Sequence, residues 1–422
     1  MQAGNAAVVQ LKQHIKDRLD FSMTMSDEQL RECIEQHVFE AAAAEGWTSN
    51  EIGAVVKRIF DSFRGLDILQ PLIDDPTVTE IMVNGHQDIF FERQGRVERY
   101  PYTLESAEKL EDLIQMIVAK VNRIVNQASP VVDARLEDGS RVNIVLPPVS
   151  LAGATLTIRK FPEKPMEMAD LIRFGSLTEQ AAELLQILVE AGFNLFIGGG
   201  TGSGKTTFLN ALSAFIPPHE RIITIEDSAE LQICTIPNLV RLETRNANTE
   251  GRGEITMREL IRSSLRMRPN RIIVGEVRGA EALDMLSAMN TGHDGSLSTG
   301  HGNSSKDMLS RLETMVLSAA PLPIEVIRKQ IASALDILVH ISRMRDRTRK
   351  ITEIHQVIGM KDGEVELQPL FRFVESGESE EGNLLGELVY TGEKLWNEAK
   401  LRMAGKTLPP WFETHSKEGE AV

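Results

Sequence analysis

The segment FNLFIGGGTGSGKTTFLNAL, residues 193–212, constrains the fold of this chain most strongly. Its apolar start predicts a buried strand, its glycines predict a tight loop, and the residues from Lys205 predict a helix. The loop has the spacing G-x-x-x-x-G-K-T from Gly199 to Thr206. In such a loop, successive backbone N–H groups turn inward around phosphate oxygens, and the helix N-terminus adds partial positive charge. We therefore predict a phosphate-binding loop between a strand of an α/β sheet and a helix.

We expect this loop to hold the phosphates of a nucleotide together with Mg²⁺. Lys205 supplies a positive charge for the outer phosphates, expected at the protein surface, and Thr206 supplies a hydroxyl for the metal ion. The alternative is a glycine-rich turn without a ligand, but the flanking strand and helix favour the phosphate loop. The residues of this segment that we expect to contact the nucleotide are Gly199, Gly200, Thr201, Gly202, Ser203, Gly204, Lys205, Thr206 and Thr207.

Two structural regions are predicted before this motif. Residues 1–64 predict a bundle of helices, because apolar residues recur at helical spacing and Ser26 with Gln29 forms a capping-box pattern. Residues 65–160 predict an α+β domain, because short strands joined by Asn-Gly and Gln-Gly turns surround one long helix.

The rest of the chain predicts a linker, a larger α/β domain and a tail. Residues 161–177 contain two prolines and predict a linker with a short helix. Residues 178–375 place the apolar runs FNLFIGG, IITIED, RIIVGE and ILVHIS between helices, which is typical of a parallel sheet covered on both faces. Two further strands, ITEIHQVIGM and GEVELQPLFRF, close this domain. Residues 376–422 predict a tail with an acidic stretch and an amphipathic helix.

Composition narrows the class of protein. The chain has 422 residues and is 42% hydrophobic, which fits two or three globular domains. Its net charge of −15 disfavours a protein that mainly grips nucleic acid. Two cysteines, Cys33 and Cys234, are too few for a disulfide framework or a zinc site. No signal peptide or membrane-spanning run is evident, so we expect a cytoplasmic protein that reaches a membrane through a partner.

Acidic residues follow two of the predicted parallel strands. Glu226, Asp227 and Glu230 follow IITIED, and Glu276 ends RIIVGE. Ligands of open α/β sheets bind beyond the carboxyl ends of the strands, where carboxylates position Mg²⁺ and the attacking water. The alternative is that these are solvated loop acids, which are common in an acidic chain.

Two histidines, His293 and His301, lie in the small-residue segment SAMNTGHDGSLSTGHGNS. From the residues alone they could be metal ligands, catalytic bases or parts of a segment that moves, or they could form local structural hydrogen bonds. Metal ligation is disfavoured because no third ligand is evident.

Several segments together resemble one family. The chain is similar to the secretion ATPases of the type II/type IV superfamily and, more narrowly, to the CpaF-type ATPases that power tight-adherence (Tad) pilus assembly. The segments that carry the resemblance are GGTGSGKTTFLNAL, TIEDSAEL, RMRPNRIIVGEVRGAEALDMLSAMNTGHDGSLSTGHGNS, SRLETMVL, IRKQIASALDILVHISR, LIDDPTVTEIMVNG and GSRVNIVLPPVSLAGATLTIRKF.

The resemblance implies a RecA-like P-loop motor domain that hydrolyses ATP with Mg²⁺. It implies a homohexamer that works on a polytopic platform protein of the inner membrane, with no nucleic acid expected. Glu230 and Glu276 are then the expected catalytic acids, and Glu226 and Asp227 belong to the nucleotide site.

The resemblance also assigns arginines and the histidine segment. Arg141 and Arg159, with Arg135 as a third candidate, are expected to reach the phosphates from the preceding domain, and Arg278 is a candidate for a subunit interface. The segment with His293 and His301 is expected to touch the nucleotide pocket. Gly300 and Gly302 beside His301 predict a more mobile segment than is usual in the family.

Rival functions stay open at this stage. A RecA-like nucleic-acid translocase shares the motor domain, but the net charge and the lack of interleaved aromatic and basic residues speak against it. A nucleotide-gated scaffold would require a lost catalytic acid. Type II, type IV and archaellum motors are sister interpretations within the family.

Overall fold

The computed structural model describes residues 5–18, 25–120, 124–136, 138–161, 164–245, 247 and 252–414. Three predicted features reach outside these residues: the end of the helix predicted past residue 120, part of the proline-containing linker, and the end of the tail. The chain forms two compact units, Met1–Glu163 and Lys164–Val422.

The described part of the first unit contains helices and a six-stranded sheet. Its helices are α1 (Asn5–Arg18), α2 (Asp27–Glu45), α3 (Ser49–Arg64), α4 (Gln70–Asp74) and α5 (Ala107–Lys120), with a 3₁₀ turn at Asp67–Leu69. Its strands are β1 (Val78–Asn84), β2 (Asp88–Arg93), β3 (Arg96–Arg99), β4 (Val131–Arg135), β5 (Arg141–Val145) and β6 (Thr155–Arg159).

The helices α1, α2 and α3 pack around a core of their own. The predicted capping box at the start of α2 is confirmed, because the Ser26 hydroxyl accepts from the Gln29 N–H and the Gln29 side chain accepts from the Ser26 N–H. Gly46 ends α2 with a φ of 68°, a conformation that glycine adopts without strain. Ile34 and Ile59 are among the buried side chains that join these helices.

The sheet of the first unit has the strand order β3-β2-β1-β6-β5-β4, and all its neighbours are antiparallel. Glycines with positive φ at the predicted turns, Gly85 and Gly95, allow the two hairpins. The apolar side of α5, including Ile114 and Ile117, belongs to the same buried cluster as alternate residues of the sheet.

The second unit contains the remaining elements. Its helices are α6 (Met168–Arg173), α7 (Glu179–Glu190), α8 (Lys205–Ser213), α9 (Met257–Ser264), α10 (Glu281–Met289), α11 (Ser305–Ala319), α12 (Ile324–Ala334), α13 (Glu398–Met403) and α14 (Pro410–Thr414). Its strands are β7 (Leu195–Gly199), β8 (Ile222–Glu226), β9 (Leu239–Glu243), β10 (Arg271–Val277), β11 (Leu297–Gly300), β12 (Ile337–Arg343), β13 (Arg349–Lys361), β14 (Glu364–Glu378) and β15 (Leu384–Tyr390).

These strands form one sheet in the order β15-β14-β13-β12-β7-β11-β10-β8-β9. The strands from β12 to β9 in this order run parallel, and β13, β14 and β15 extend the sheet by antiparallel pairing. The predicted α/β class with a parallel core is confirmed. The four apolar runs read from the sequence are β7, β8, β10 and β12.

Alternate residues of the parallel strands belong to two separate buried clusters. Along β7, Leu195 and Ile197 join one cluster, and Phe196 joins the other. Side chains of α7 and α8 lie in the first cluster, and those of α9, α10, α11 and α12 lie in the second. Both faces of the sheet are therefore covered, as the apolar runs predict.

Three strands lack a counterpart in the sequence interpretation: β9, β11 and β15. The strand β11 has the sequence LSTG and no apolar run, yet it lies between β7 and β10 in the centre of the sheet. The domain end expected at residue 375 falls inside β14, and β15 pairs with that strand. Of the two cysteines, Cys33 is half-buried on α2 and Cys234 is exposed after β8.

Asn194 aligns the starts of three parallel strands. Its Oδ1 accepts from the N–H groups of Gly295 and Ser296, just before β11, at 2.9 and 3.0 Å. Its Nδ2 donates to the carbonyl of Ala334, before β12, at 2.8 Å, and to the carbonyl of Met289 at 3.4 Å. A buried amide with partners for both ends fixes its neighbours because any shift would leave a polar group without a hydrogen bond.

Arg271 holds the start of β10 in a similar way. The buried guanidinium donates to both carboxylate oxygens of Glu220, and its Nη1 donates to the carbonyls of Val189 and Gly295 at 2.6 and 3.4 Å. The strand that ends near Glu276 is thereby tied to the end of α7 and to the turn before β11.

We predict that Arg271→Met lowers the free energy of unfolding of the second unit by about 3–5 kcal/mol, because Glu220 loses its buried partner. Arg266→Met is the matched control. Arg266 is exposed, so its replacement should change stability by no more than about 0.5 kcal/mol. Urea denaturation of both variants measures the difference. Equal stability of the two variants would show that the Arg271–Glu220 pair does not hold β10.

Candidate functional site

The predicted phosphate loop links β7 to α8 as expected. Gly202 and Gly204 have φ angles of +70° and +100°, a backbone conformation that residues other than glycine rarely adopt. A Cβ on Gly199 would lie 2.3 Å from the carbonyl oxygen of Ile341, so the close approach of β12 also requires glycine there. The loop therefore needs glycine for its backbone turns at two positions and for strand packing at a third.

Lys205 is buried rather than exposed, which corrects the expectation from the sequence. Its exposed fraction is 7%, and its Nζ donates to the carbonyls of Gly199 and Gly200 at 3.2 and 3.1 Å. The first residue of α8 folds its ammonium back over its own loop, where carbonyl dipoles compensate the desolvated charge.

Glu276 is the centre of a charged cluster at this loop. Its Oε1 lies 3.1 Å from His301 Nε2 and 3.5 Å from Lys205 Nζ. Its Oε2 accepts from Arg278 Nε at 2.7 Å. Burial acts to raise the pKa of Glu276, but the Arg278 hydrogen bond and the charges of Arg278, His301 and Lys205 outweigh it and lower the pKa.

The electrostatics of His301 and Arg278 follow from the same cluster. Burial lowers the pKa of His301, Glu276 opposes this shift, and Lys205 adds to it. Arg278 also lies 3.7 Å from Asp227, so it bridges acids that follow two different strands. The interface role expected for Arg278 stays a prediction.

Glu226 is buried at the end of β8, with an exposed fraction of 3%. Its Oε1 accepts from the N–H groups of Glu230 and Leu231 at 2.8 and 3.0 Å, whereas its buried Oε2 has no hydrogen-bond partner among the described residues. Burial raises the pKa of Glu226 to about 7, against the lowering effect of the two N–H groups. Gly275 makes room for this side chain, since a Cβ there would lie 2.8 Å from Glu226 Cγ.

The other acids and hydroxyls predicted for the site occupy distinct positions. Asp227 is exposed and its Oδ1 accepts from the Thr244 hydroxyl at 3.3 Å. Glu230 is half-buried, and its N–H holds Glu226. Thr206 and Thr207 lie half-buried in the first turn of α8, and Thr201 is exposed in the loop. The Ser203 hydroxyl is buried without a hydrogen-bond partner among the described residues.

The two histidines of the predicted segment lie at opposite ends of β11. His301 follows the carboxyl end of this strand and meets Glu276 and Lys205. His293 precedes the strand, and its Nδ1 lies 3.2 Å from the carbonyl of Ala288 at the end of α10. The structure thus brings His301 to the loop of its own chain and does not bring His293 there. A local hydrogen bond was the alternative for His293, and the structure contains one.

Gly300 and Gly302 are explained by packing, which corrects the expectation of a mobile segment. A Cβ on Gly300 would lie 2.9 Å from Phe196 Cζ, and a Cβ on Gly302 would lie 2.3 Å from Met308 Sδ. Both glycines are buried. They let the backbone beside His301 approach β7 and α11 closely.

The three arginines expected to act from the first unit form a row. In the sheet register Arg135 pairs with Arg141, and Arg141 pairs with Arg159, so the three lie on adjacent strands. On the next strand Glu80 pairs with Arg159, so a carboxylate ends the row and offsets part of the repulsion expected between directly opposed like charges. The Nε of Arg135 donates to the carbonyl of Gly139 at 3.2 Å.

Sequence interpretation missed residues that support the site from other elements. Thr299 donates to the carbonyl of Gly275 at 2.7 Å, and buried His340 lies 3.2 Å from the carbonyl of Gly302. Arg349 Nε donates to the carbonyl of Gly202 at 3.0 Å. The run of cations in RMRDRTRK, just after ILVHIS, was the available signal for Arg349.

Comparison with known proteins places the chain in a family. The family described as type II/IV secretion system protein matches residues 63–369. A putative conjugal transfer protein of Mycobacterium tuberculosis is 33% identical over 345 residues, covering 80% of this chain and 97% of the relative. The type IV secretion system protein VirB11 of Brucella suis is 34% identical over 330 residues, covering 71% of this chain and 91% of the relative.

This chain is a member of the type II/IV secretion ATPase superfamily. Among solved structures, the ATPase DotB of Yersinia pseudotuberculosis matches with a TM-score of 0.50 at 16% identity, over 70% of this chain and 78% of that one. The fold is the RecA-like fold of the secretion ATPases, as the resemblance implies.

No helix within the described residues is long and apolar enough to cross a membrane. No group of three or more histidine, cysteine, aspartate or glutamate side chains within them is arranged to hold a metal ion.

We predict that Glu226 makes stability depend on pH. Its pKa is about 7 in the folded chain and 4.5 in the unfolded chain. The unfolded chain therefore releases this proton first as pH rises, and stability is lost through the window from pH 4.5 to 7. Glu226→Gln does not ionise, so its stability relative to wild type should increase by about 3 kcal/mol between pH 4.5 and 8. Denaturation of both proteins across this range tests this, and a constant difference contradicts it.

Proposed function

We propose that this protein is a Mg²⁺-dependent ATPase that drives assembly of a Tad-type pilus, as CpaF-type motors do. It acts as a homohexamer at the cytoplasmic face of the inner membrane, on a polytopic platform protein. The observation that carries the proposal is the cluster of Lys205, Glu276 and His301 at a complete phosphate loop. This cluster combines a phosphate-binding cation, a carboxylate and an imidazole. They lie at the carboxyl ends of the parallel strands β7, β10 and β11, at one edge of the sheet.

The residues of the loop fit a nucleotide with its metal ion. The positive-φ glycines turn the backbone of the loop. Ser203 Oγ in the loop and Glu226 Oε2 at the end of β8 are buried and have no hydrogen-bond partner among the described residues. Thr206 supplies the hydroxyl for Mg²⁺, with carboxylates of the strand ends acting through water. Mg·ATP, when bound, supplies an activated outer phosphate whose charge the metal ion partly neutralises.

Lys205 changes partner in this proposal. Its ammonium donates to the carbonyls of Gly199 and Gly200 and lies 3.5 Å from Glu276 Oε1. Phosphate oxygens are stronger acceptors for an ammonium than carbonyls are, because they carry charge. Lys205 would therefore bind the outer phosphates of a nucleotide held by this loop.

Glu276 holds and orients the attacking water. Surrounded by cations, its carboxylate has a lowered pKa and is a weak base. Pairing of Lys205 with phosphate oxygens would weaken its interaction with Glu276, one of the interactions that lower the pKa of this carboxylate. His301, which contacts both side chains, registers this change. Glu230 is the second candidate for orienting the water.

Arg141 and Arg159 neutralise the charge that develops on the phosphates, with Arg135 beside them. Arg141 pairs with both Arg135 and Arg159 in the sheet register, so one anionic ligand can contact neighbouring arginines. An arginine acting on the equatorial oxygens stabilises the transition state more than the ground state. His293 remains proposed as part of the nucleotide-sensing segment.

Other motors and a nucleic-acid translocase are the alternative functions. The two relatives compared above are a conjugal transfer protein and a type IV secretion protein, so a secretion motor outside the Tad group is the first alternative. The net charge of −15 disfavours a translocase. Polynucleotide that stimulates ATP turnover would favour the translocase. Genes for a pilin, a polytopic platform protein and a secretin beside this gene would favour the pilus motor.

We predict that Glu276→Gln keeps nucleotide affinity and cuts ATP turnover by about 100-fold or more, because a positioned acid or base is removed. Glu230→Gln shows the same pattern if that residue orients the water instead. Glu325→Gln, an exposed change on α12, is the matched control and keeps normal turnover. Turnover and equilibrium ATP binding are measured on each protein, and pilus assembly is scored in the host strain. If Glu276→Gln instead loses affinity at an unchanged saturated rate, its role is structural.

We predict that Arg159→Ala still binds Mg·ATP and forms hexamers but loses turnover by the order of 10³-fold, as expected for an arginine that stabilises phosphoryl transfer. Arg141→Ala has a similar or milder effect. Arg96→Ala, an exposed change on β3 of the same sheet, is the control. Light scattering, ATP binding and turnover are measured on one preparation. Native turnover in Arg159→Ala excludes the phosphate role, and a monomeric variant makes the residue an interface residue.

A further inference from the structure

The hairpin between β12 and β13 is strongly basic. Residues 343–350 read RMRDRTRK and contain five cations and one aspartate. We call these residues the basic hairpin. Its cations have different partners: Arg345 pairs with Glu375 and Glu378, and Lys350 donates to the carbonyl of Gly175.

Arg349 of the basic hairpin lies against the phosphate loop. Its Nε donates to the carbonyl of Gly202 at 3.0 Å, and its Cδ lies 3.2 Å from the place where a Cβ on Gly204 would stand. The side chain thus packs over the two positive-φ glycines of the loop. Any other residue at either position would have a strained backbone, and a side chain at position 204 would also displace Arg349.

The order of strands decides which end of a nucleotide Arg349 faces. β12 and β13 lie on one side of β7, whereas β11 and β10, which carry His301 and Glu276, lie on the other side. In a loop of this type the lysine takes the outer phosphates and the backbone cradles the inner ones. The outer phosphates belong beside Lys205 and Glu276, so the inner phosphate and the ribose extend toward the other side of β7, where Arg349 is.

We propose that Arg349 is a nucleotide-binding residue that contacts the α-phosphate of the bound nucleoside phosphate, an inference that rests on the proposed function. Its guanidinium is a planar donor suited to phosphate oxygens, and it stays charged at all physiological pH values. The same side chain holds the Gly202 carbonyl, so it sets the loop and binds the ligand together. The ligand class is a nucleoside 5′-di- or triphosphate.

The test measures Mg·ADP affinity and the ³¹P spectrum of bound ADP in the full-length protein. Arg349→Ala should weaken Mg·ADP binding by about 10-fold to 100-fold, the usual range for a charge-assisted hydrogen bond. Arg349→Lys keeps the charge without the planar fork and should be intermediate. In both variants the α-phosphate resonance of bound ADP should shift while the β-phosphate resonance stays within the wild-type line.

The matched control is Arg347→Asn in the same hairpin. Arg347 is exposed and has a φ of 70°, which asparagine tolerates, so this change removes an equal charge without straining the turn. It should leave affinity within about 2-fold of wild type, since exposed charges at a distance are screened.

Three results overturn the inference. Wild-type affinity in Arg349→Ala excludes a contact between Arg349 and the α-phosphate. Equal shifts of both phosphate resonances would show that Arg349 only stabilises the conformation of the loop. An equal loss of affinity in Arg347→Asn reduces the effect to general charge. If the wild-type protein binds no nucleotide, the proposed function itself fails. If the wild-type protein binds ADP and the Arg349 variants bind it with the same affinity, the proposed function stands and Arg349 is not part of the site.

Discussion

The four hydrogen bonds of the Asn194 side chain set the alignment on which the site depends. They tie the start of β7 to the residues just before β11 and β12. Parallel strands that start level also end level, so Gly300 pairs with Gly198 and Ile341 pairs with Gly199. The phosphate loop, His301 and the basic hairpin therefore emerge at the same edge of the sheet. The neutral Asn194 amide and the Arg271–Glu220 pair thus hold the starts of the strands, and the phosphate loop lies where the strands end.

Charge at the site is arranged around one carboxylate. Glu276 contacts Lys205, His301 and Arg278, and each of these side chains comes from a different segment of the chain. A group shared among several partners transmits a change at one of them to the others, because the loss of one cation alters the pKa of the carboxylate and the pairing of the remaining cations. Such sharing suits a protein that must couple the occupation of a phosphate site to a change elsewhere. Glu226, buried and with a raised pKa, lies outside this cluster and supports it through the backbone after β8.

Much of the fold could be predicted because β7, β8, β10 and β12 contain apolar runs and the phosphate loop has a fixed spacing. The strand β11 could not, since LSTG carries no apolar run and its strand form depends on β7 and β10 on either side. The glycines beside His301 were interpreted as a sign of a mobile backbone, whereas their contacts with Phe196 and Met308 show that they allow close packing. The burial of Lys205 was missed because its partners are backbone carbonyls, which leave no trace in residue types. The contact of Glu276 with the loop was foreseeable, because both lie at the carboxyl ends of parallel strands. The contact of Arg349 was not, because it depends on the β12–β13 hairpin, which lies on the other side of β7 from Glu276.

The placement of the two cysteines gives each unit one natural attachment point for a spectroscopic probe. Cys234 is exposed on the second unit, and Cys33 is half-buried on the first, so a thiol reagent should reach them at different rates. A dye at Cys234 and a second dye at Cys33 form a pair that spans the two units without any engineered thiol. Energy transfer between them measures the distance between the two labelled positions, in single molecules and in real time.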